Sequence, residues 1–154
     1  MVKKVYIDTS VVGAYYDKEF KYWTKLFFNS VERGEFKLAI SEILYAELSN
    51  APLRIREILQ KIQENNKIYV EYNSDARKLA DEYLNSNVVG HKSITDCRHI
   101  ATATVNQVEV LASWNFKHIV NLNKIHLYNG VNIQQGYKSI EIRTPREILN
   151  YENR

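Results

Sequence analysis

Short apolar runs alternate along this chain with longer stretches whose apolar residues recur at helical spacing, and that alternation leaves few folds open. The first run, Val5-Tyr6-Ile7, stops abruptly at Asp8-Thr9-Ser10. Phe36 to Ile40, the alternating Ile68, Val70 and Tyr72, Val108 to Ala112, and Ile140 with Ile142 read as further strands. Between them, Val11 to Tyr16 can form a short helix. From Lys18 to Arg33 the residues Phe20, Trp23, Phe27 and Val31 mark one helical face, with Gly34 as a stop. Ser41 caps a helix through Ser49, and Pro52 opens another with an Ile55, Ile58, Leu59, Ile62 stripe. Ser74 caps a helix bearing Leu79, Ala80, Tyr83 and Leu84, and residues 87–94 form a loop. Thr95 caps a helix that begins at Asp96, Asn121 to Gln135 is helical despite Gly130, and Pro145 opens the last helix. A repeated strand–helix alternation of this kind predicts an α/β sandwich with a mainly parallel sheet.

Composition narrows the class further. The 154 residues suit a single domain over 1–154, with 45% hydrophobic and 25% charged residues, as in a folded globular chain. Lys and Arg total 21 against 18 Asp and Glu, so the net charge of +3 permits a polyanionic partner without requiring one. The one cysteine, Cys97, excludes an intrachain disulfide and a cysteine-based zinc cluster, and a reducing cytoplasm is the expected compartment. The apolar segment before Asp8 is too short for a signal peptide, and no later stretch is long enough to span a bilayer, so no membrane association is expected.

Four polar residues stand out by position: Asp8, Glu47, Asp96 and Asn115 each end an apolar run or lie near a helix start. Ligands of parallel α/β sheets bind beyond the carboxyl ends of the strands, and all four can reach one crevice there. Each has an ordinary structural explanation. Asp8 can start a turn, Glu47 can border an apolar face with its head in water, Asp96 suits a helix N-terminus, and Asn115 can satisfy loop backbone groups. Taken as an ordered set they point elsewhere. Carboxylates gathered from distant segments repel one another unless a cation lies between them, and an oxygen-lined divalent site serves phosphate chemistry. His99, one turn after Asp96, could orient a ligand or substrate. His118 and His126 pair with nothing at a metal spacing and read as boundary residues. Lys117, Lys124 and Lys138 could meet phosphates or simply be solvated. Tyr15 and Tyr16 could stack on bases, with burial the default.

Ile7-Asp8-Thr9-Ser10, Ser41 to Leu48, Thr95-Asp96-Cys97-Arg98-His99-Ile100-Ala101-Thr102-Ala103 and Ser113-Trp114-Asn115-Phe116-Lys117-His118 occur in the order and spacing of a known family. The chain resembles the PIN-domain nucleases, and among them the VapC-like toxins of bacterial toxin–antitoxin pairs. The tail from Ile140 to Glu147 is similar to the same subgroup. The resemblance implies a three-layer α/β/α domain, an acidic pocket binding Mg²⁺ or Mn²⁺, and cleavage of single-stranded RNA. By position, Asp8, Glu47 and Asp96 would be the metal-binding acids, with the hydroxyls of Ser10 and Ser113 nearby. The family's fourth acid would fall at Asn115, a departure that favours one tightly held ion. A small antitoxin covering the pocket and a homodimer are the implied protein partners. The face carrying Phe20, Trp23, Phe27 and Phe28 holds more aromatic area than one helix needs and is expected to serve such an interface.

Two other functions are open to the sequence. A haloacid-dehalogenase-type enzyme also begins strand-Asp, but needs a second acid two residues on, where this chain has Ser10. A PIN-like fold kept as a non-catalytic RNA-binding or protein-interaction module is favoured by Asn115 and opposed by the three acids.

Overall fold

The computed structural model describes residues 2–152. Five strands, β1 (Lys3–Ile7), β2 (Phe36–Ser41), β3 (Lys67–Val70), β4 (Val110–Ala112) and β5 (Glu141–Arg143), form one sheet in the order β3-β2-β1-β4-β5. Every pairing is parallel, with Tyr6 of β1 opposite Ala39 on one side and Leu111 on the other. The expected parallel sheet is present, and it contains no antiparallel strand among the described residues.

Strand side chains alternate between faces, and this pleat divides the core in two. Val5, Ile7, Leu38, Ile40, Val110 and Ala112 face one layer; Tyr6, Ala39, Leu111 and Ile142 face the other. The first layer holds α1 (Thr9–Gly13), α2 (Lys21–Glu32), α3 (Glu42–Leu48), α4 (Leu53–Gln60) and α8 (Pro145–Glu152). The second holds α5 (Ser74–Asn85), α6 (Ile94–Val105) and α7 (Leu122–Gln134). The result is an α/β/α sandwich. The chain moves outward from β1 to β2 and β3, then crosses back to β4 on the far side of β1. That reversal opens a crevice at the carboxyl ends of β1 and β4, where such sheets place their ligands.

Helix boundaries differ from the sequence expectation where side chains compete for free amides. Asn73, not Ser74, caps α5: its Oδ1 accepts the Ala76 amide at 2.9 Å. The expected helix from Lys18 starts at Lys21, because Asp17 Oδ1 holds the amides of Glu19 (2.8 Å) and Phe20 (3.3 Å) in a turn. α6 begins at Ile94 rather than at Asp96, Thr95 lies inside it, and a single 3₁₀ turn at His91–Ser93 tightens the preceding loop. Tyr72 lies beyond β3, and β4 is shorter than Val108 to Ala112. Gly34 ends α2 as expected, and Gly136 follows the end of α7, with φ of +79° and +87°.

The aromatic face of α2 is largely covered by the chain itself. Phe27 and Phe28 are buried in the first core, Phe20 stacks on Trp114 at 4.5 Å between centroids, and Arg146 lies over Trp23 at 5.1 Å. The sequence overstated its free area because it cannot show α8 and the loop after β4 packing there.

Replacing Asn73 by Ala should cost about 1 kcal/mol, the usual loss for an N-cap, whereas Ser74→Ala should be nearly neutral. Urea denaturation of the two variants distinguishes them; equal losses would move the cap back to Ser74.

Candidate active site

Asp8 follows β1 directly and is only 3% exposed. A carboxylate buried this deeply must have its lone pairs filled. Ser10 Oγ donates to Oδ1 and Ser113 Oγ to Oδ2, each at 2.6 Å. The two hydroxyls are themselves anchored: the Trp114 amide donates to Ser10 Oγ at 2.9 Å, and the Asn115 amide to Ser113 Oγ at 3.0 Å. Thus the segment after β4 is clamped to the segment after β1 around one carboxylate. Burial raises the Asp8 pKa above the usual carboxylate range, against the opposing pull of His99 and the two serines.

Asp96 stands in the first turn of α6, where the helix dipole favours a negative charge. Asn115 Nδ2 donates to its Oδ2 at 3.3 Å. Its pKa is also raised, by burial first and then by the charge of Asp8, with His118 and His99 acting the other way and Glu47 adding to the rise. Asp8 and Asp96 therefore repel across the crevice. His99 lowers both pKa values, while the serines act on Asp8 and His118 on Asp96.

Asn115 takes the loop role that the sequence left open to it. Its Oδ1 accepts the backbone amides of Lys117 (3.2 Å) and His118 (3.0 Å), so the oxygen that could have met a metal shapes the loop instead. An amide is the residue type that can do both jobs, accepting from the loop and donating to Asp96. An aspartate here would set a third charge against Asp96.

Glu47, near the end of α3, lies to the side. Its Oε1 accepts from Thr9 Oγ1 and meets His99 Nε2, both at 2.5 Å, and its side chain is 33% exposed. Burial alone would raise its pKa, but the His99 and Thr9 hydrogen bonds and the His99 charge carry it below the ordinary value, so at neutral pH it is a carboxylate. His99 is buried, and its Nδ1 lies 2.6 Å from the Tyr6 hydroxyl, which meets Ser41 Oγ at 2.8 Å. The sequence reading missed Tyr6, Thr9 and Ser41; Tyr6, a hydroxyl between the apolar Val5 and Ile7, was the available signal. Ser41 occupies the N-cap position of α3, but its hydroxyl turns to Tyr6 instead of capping. His118, read as a boundary residue, bears on Asp96, and its Nδ1 is buried without a hydrogen-bond partner. Cys97 is no candidate nucleophile: burial and the neighbouring Asp96 push its thiol up to about 12.

Among the described residues no three His, Cys, Asp or Glu side chains converge tightly enough to enclose an ion. The donor set nevertheless fits a hard divalent cation. Mg²⁺ is held by one or two carboxylates and keeps several waters, and Mn²⁺ shares that preference for oxygen. Asp8 and Asp96 supply two mutually repelling carboxylates, the Ser10 and Ser113 hydroxyls supply further oxygen, and Glu47 stands beside them, turned toward His99.

The PIN domain family model matches residues 5–117, a span that includes Asp8, Glu47, Asp96 and Asn115. The chain belongs to the PIN domain family, a family of nucleases. No curated protein sequence matches it. Among solved structures, VapBC2 from Rickettsia felis bound to a DNA fragment from their promoter contains a chain similar to this one. The TM-score is 0.53 at 14% identity over 74% of this chain and 89% of that one. DNA-bound VapBC from Salmonella typhimurium contains another, with TM-score 0.54 at 14% identity over 94% and 99%. These likenesses confirm the three-layer fold. No helix among the described residues is long and apolar enough to cross a membrane.

A carboxyl whose pKa is raised by folding favours the folded state at low pH. That contribution is present below the unfolded pKa and is lost as pH rises through the folded value. Asp8 and Asp96 both have this sign. Asp8→Asn should therefore raise the Tm of metal-free protein at pH 7.5 by several degrees and change it little near pH 3.5. A Tm that falls at pH 7.5 but not near pH 3.5 would show that the carboxylate is stabilising.

Proposed function

We propose that this PIN-domain protein is a metal-dependent endoribonuclease that cleaves single-stranded RNA, and that it is the toxin of a toxin–antitoxin pair. The observation that carries the reading is the buried Asp8 carboxylate joined through Ser113 and Asn115 to Asp96, both with pKa raised first by burial. Such a pair is costly to the fold by itself and suits a divalent cation. A bound Mg²⁺ or Mn²⁺ would supply positive charge to the phosphate oxygens and acidify a water.

Asp8 and Asp96 would hold the ion and Glu47 would add a third carboxylate from the edge of the site, with Ser10 and Ser113 fixing the Asp8 carboxylate in one orientation. Asn115 keeps Asp96 in place without adding charge, which favours one tightly held ion, any second being recruited by the substrate phosphate. Glu47, ionised at neutral pH, is suited to accept a proton from the attacking water; its Oε1 is held by Thr9 and His99, leaving Oε2 for that exchange. Water attacks phosphorus in line, the leaving oxygen departs with a proton, and no residue becomes covalently attached to RNA. The similarity to chains of VapBC complexes supports an antitoxin partner, and the toxin reading carries with it a homodimer acting in the cytoplasm.

A non-catalytic PIN-like module is the second reading, favoured by the engaged Asn115 oxygen and by the lack of a three-acid cluster among the described residues. Incubation of a mixed single-stranded RNA pool with Mn²⁺, Mg²⁺ or EDTA separates the two. Cleavage should require metal and fall at least a hundredfold in identically prepared Asp96→Asn protein, while calorimetry should count one Mn²⁺ per chain. Metal-independent cleavage, or equal cleavage by both proteins, would reveal a contaminating nuclease. Absence of cleavage together with absence of Mn²⁺ binding would favour the module.

A further inference from the structure

Four buried or half-buried polar groups run in series from the end of β2, through β1, to the edge of the site: Ser41 Oγ, Tyr6 Oη, His99 and Glu47 Oε1, separated by 2.8, 2.6 and 2.5 Å. Tyr6 is wholly buried and His99 is 1% exposed. Polar atoms so placed cost desolvation, and an apolar trio of the same shape could fill this space without that cost. The series ends on the one half-exposed carboxylate of the group, and its Tyr6 sits on β1, the strand that delivers Asp8 two residues later.

The donors can be assigned in order. Glu47 is ionised, so His99 Nε2–H donates to Oε1 beside the Thr9 hydroxyl. The Tyr6 hydroxyl then fixes the other ring nitrogen, and Ser41 fixes the Tyr6 oxygen. The rings of Tyr6 and His99 meet edge to face, with centroids 5.6 Å apart, so the imidazole is held by packing as well as by hydrogen bonding. A glutamate has three rotatable side-chain bonds, and one donor alone would leave it mobile. A second donor on a fixed ring does not. Outer hydrogen-bonding partners of this kind orient the groups that touch an ion or substrate.

We propose that Tyr6 is a positioning residue for Glu47: acting through His99, its hydroxyl fixes the carboxylate at the edge of the acidic site. The inference rests on the reading of Glu47 as a working carboxylate of that site. Tyr6→Phe keeps the ring and removes only the hydroxyl. In metal-free protein labelled with ¹⁵N-histidine, the wild type should show a slowly exchanging His99 Nε2 proton, assigned by its loss in His99→Gln. Tyr6→Phe should broaden that signal or abolish it. In cleavage assays the variant should lose about tenfold in kcat with the KM for RNA little changed, and should bind Mn²⁺ several-fold more weakly. His99→Gln, which can still accept from Tyr6 and donate to Glu47, should stay within about threefold of wild-type Mn²⁺ affinity; His99→Leu, which fills the space without either bond, should lose about tenfold.

Sharp His99 signals in Tyr6→Phe would overturn the proposal, whatever the metal does. So would unchanged Mn²⁺ affinity and kcat in that variant, or equal effects of His99→Gln and His99→Leu. A protected proton that Tyr6→Phe abolishes, in a wild type that neither binds Mn²⁺ nor cuts RNA, would uphold the positioning of Glu47 and sink the nuclease reading instead.

Discussion

The buried carboxylate of Asp8 is the point at which this fold and its chemistry meet. It ends the central strand, and its two oxygens draw in Ser10 from the following helix and Ser113 from beyond β4. Through those hydroxyls the Trp114 and Asn115 amides are tied down as well. One charged group therefore joins β1, α1 and the β4 loop at the crevice where the strand order reverses. The same burial that lets it organise the crevice raises its pKa, so the site is assembled at a cost in stability.

The second carboxylate shows how that cost is limited. Asp96 is placed by the N-terminus of α6 and steadied by the Asn115 amide, while the Asp8 charge opposes it. An uncharged Asn115 donates where an acid would repel, and its oxygen closes the turn that carries Lys117 and His118. Asn115 thus has a structural role of its own beside Asp96. Glu47 is handled differently: two donors depress its pKa and hold it ionised beside the pair.

Much of this was legible in the sequence, for identifiable reasons. Residues such as Leu38, Ile40 and Val110 announce strands buried on both faces, and Ile55, Ile58, Leu59 and Ile62 announce a helix with one wet side. Those periodicities are local, so a parallel α/β class follows from them. The placement of Asp8, Asp96 and Asn115 beside one another is consistent with strand-end logic. Boundaries were less legible. Asn73 and Ser74 are both acceptable caps, and the choice depends on which backbone is extended in the folded chain. The aromatic face of α2 could not be judged from α2 alone, since α8 and Trp114 cover it from far along the chain.

The sequence by itself determined the class of fold, the strand-end location of the crevice and the residue types available to it, because hydrophobic periodicity and turn chemistry act over a few residues. Only the tertiary structure decided how those side chains are spent. Tyr6 and His99 lie 93 residues apart, Glu47 and His99 52, and Ser113 and Asp8 105, and no local pattern records such pairings. Whether a buried hydroxyl is a cap, a core filler or a hydrogen-bond donor to a carboxylate depends on which distant strand or helix packs against it, and burial is what gives the choice its energy.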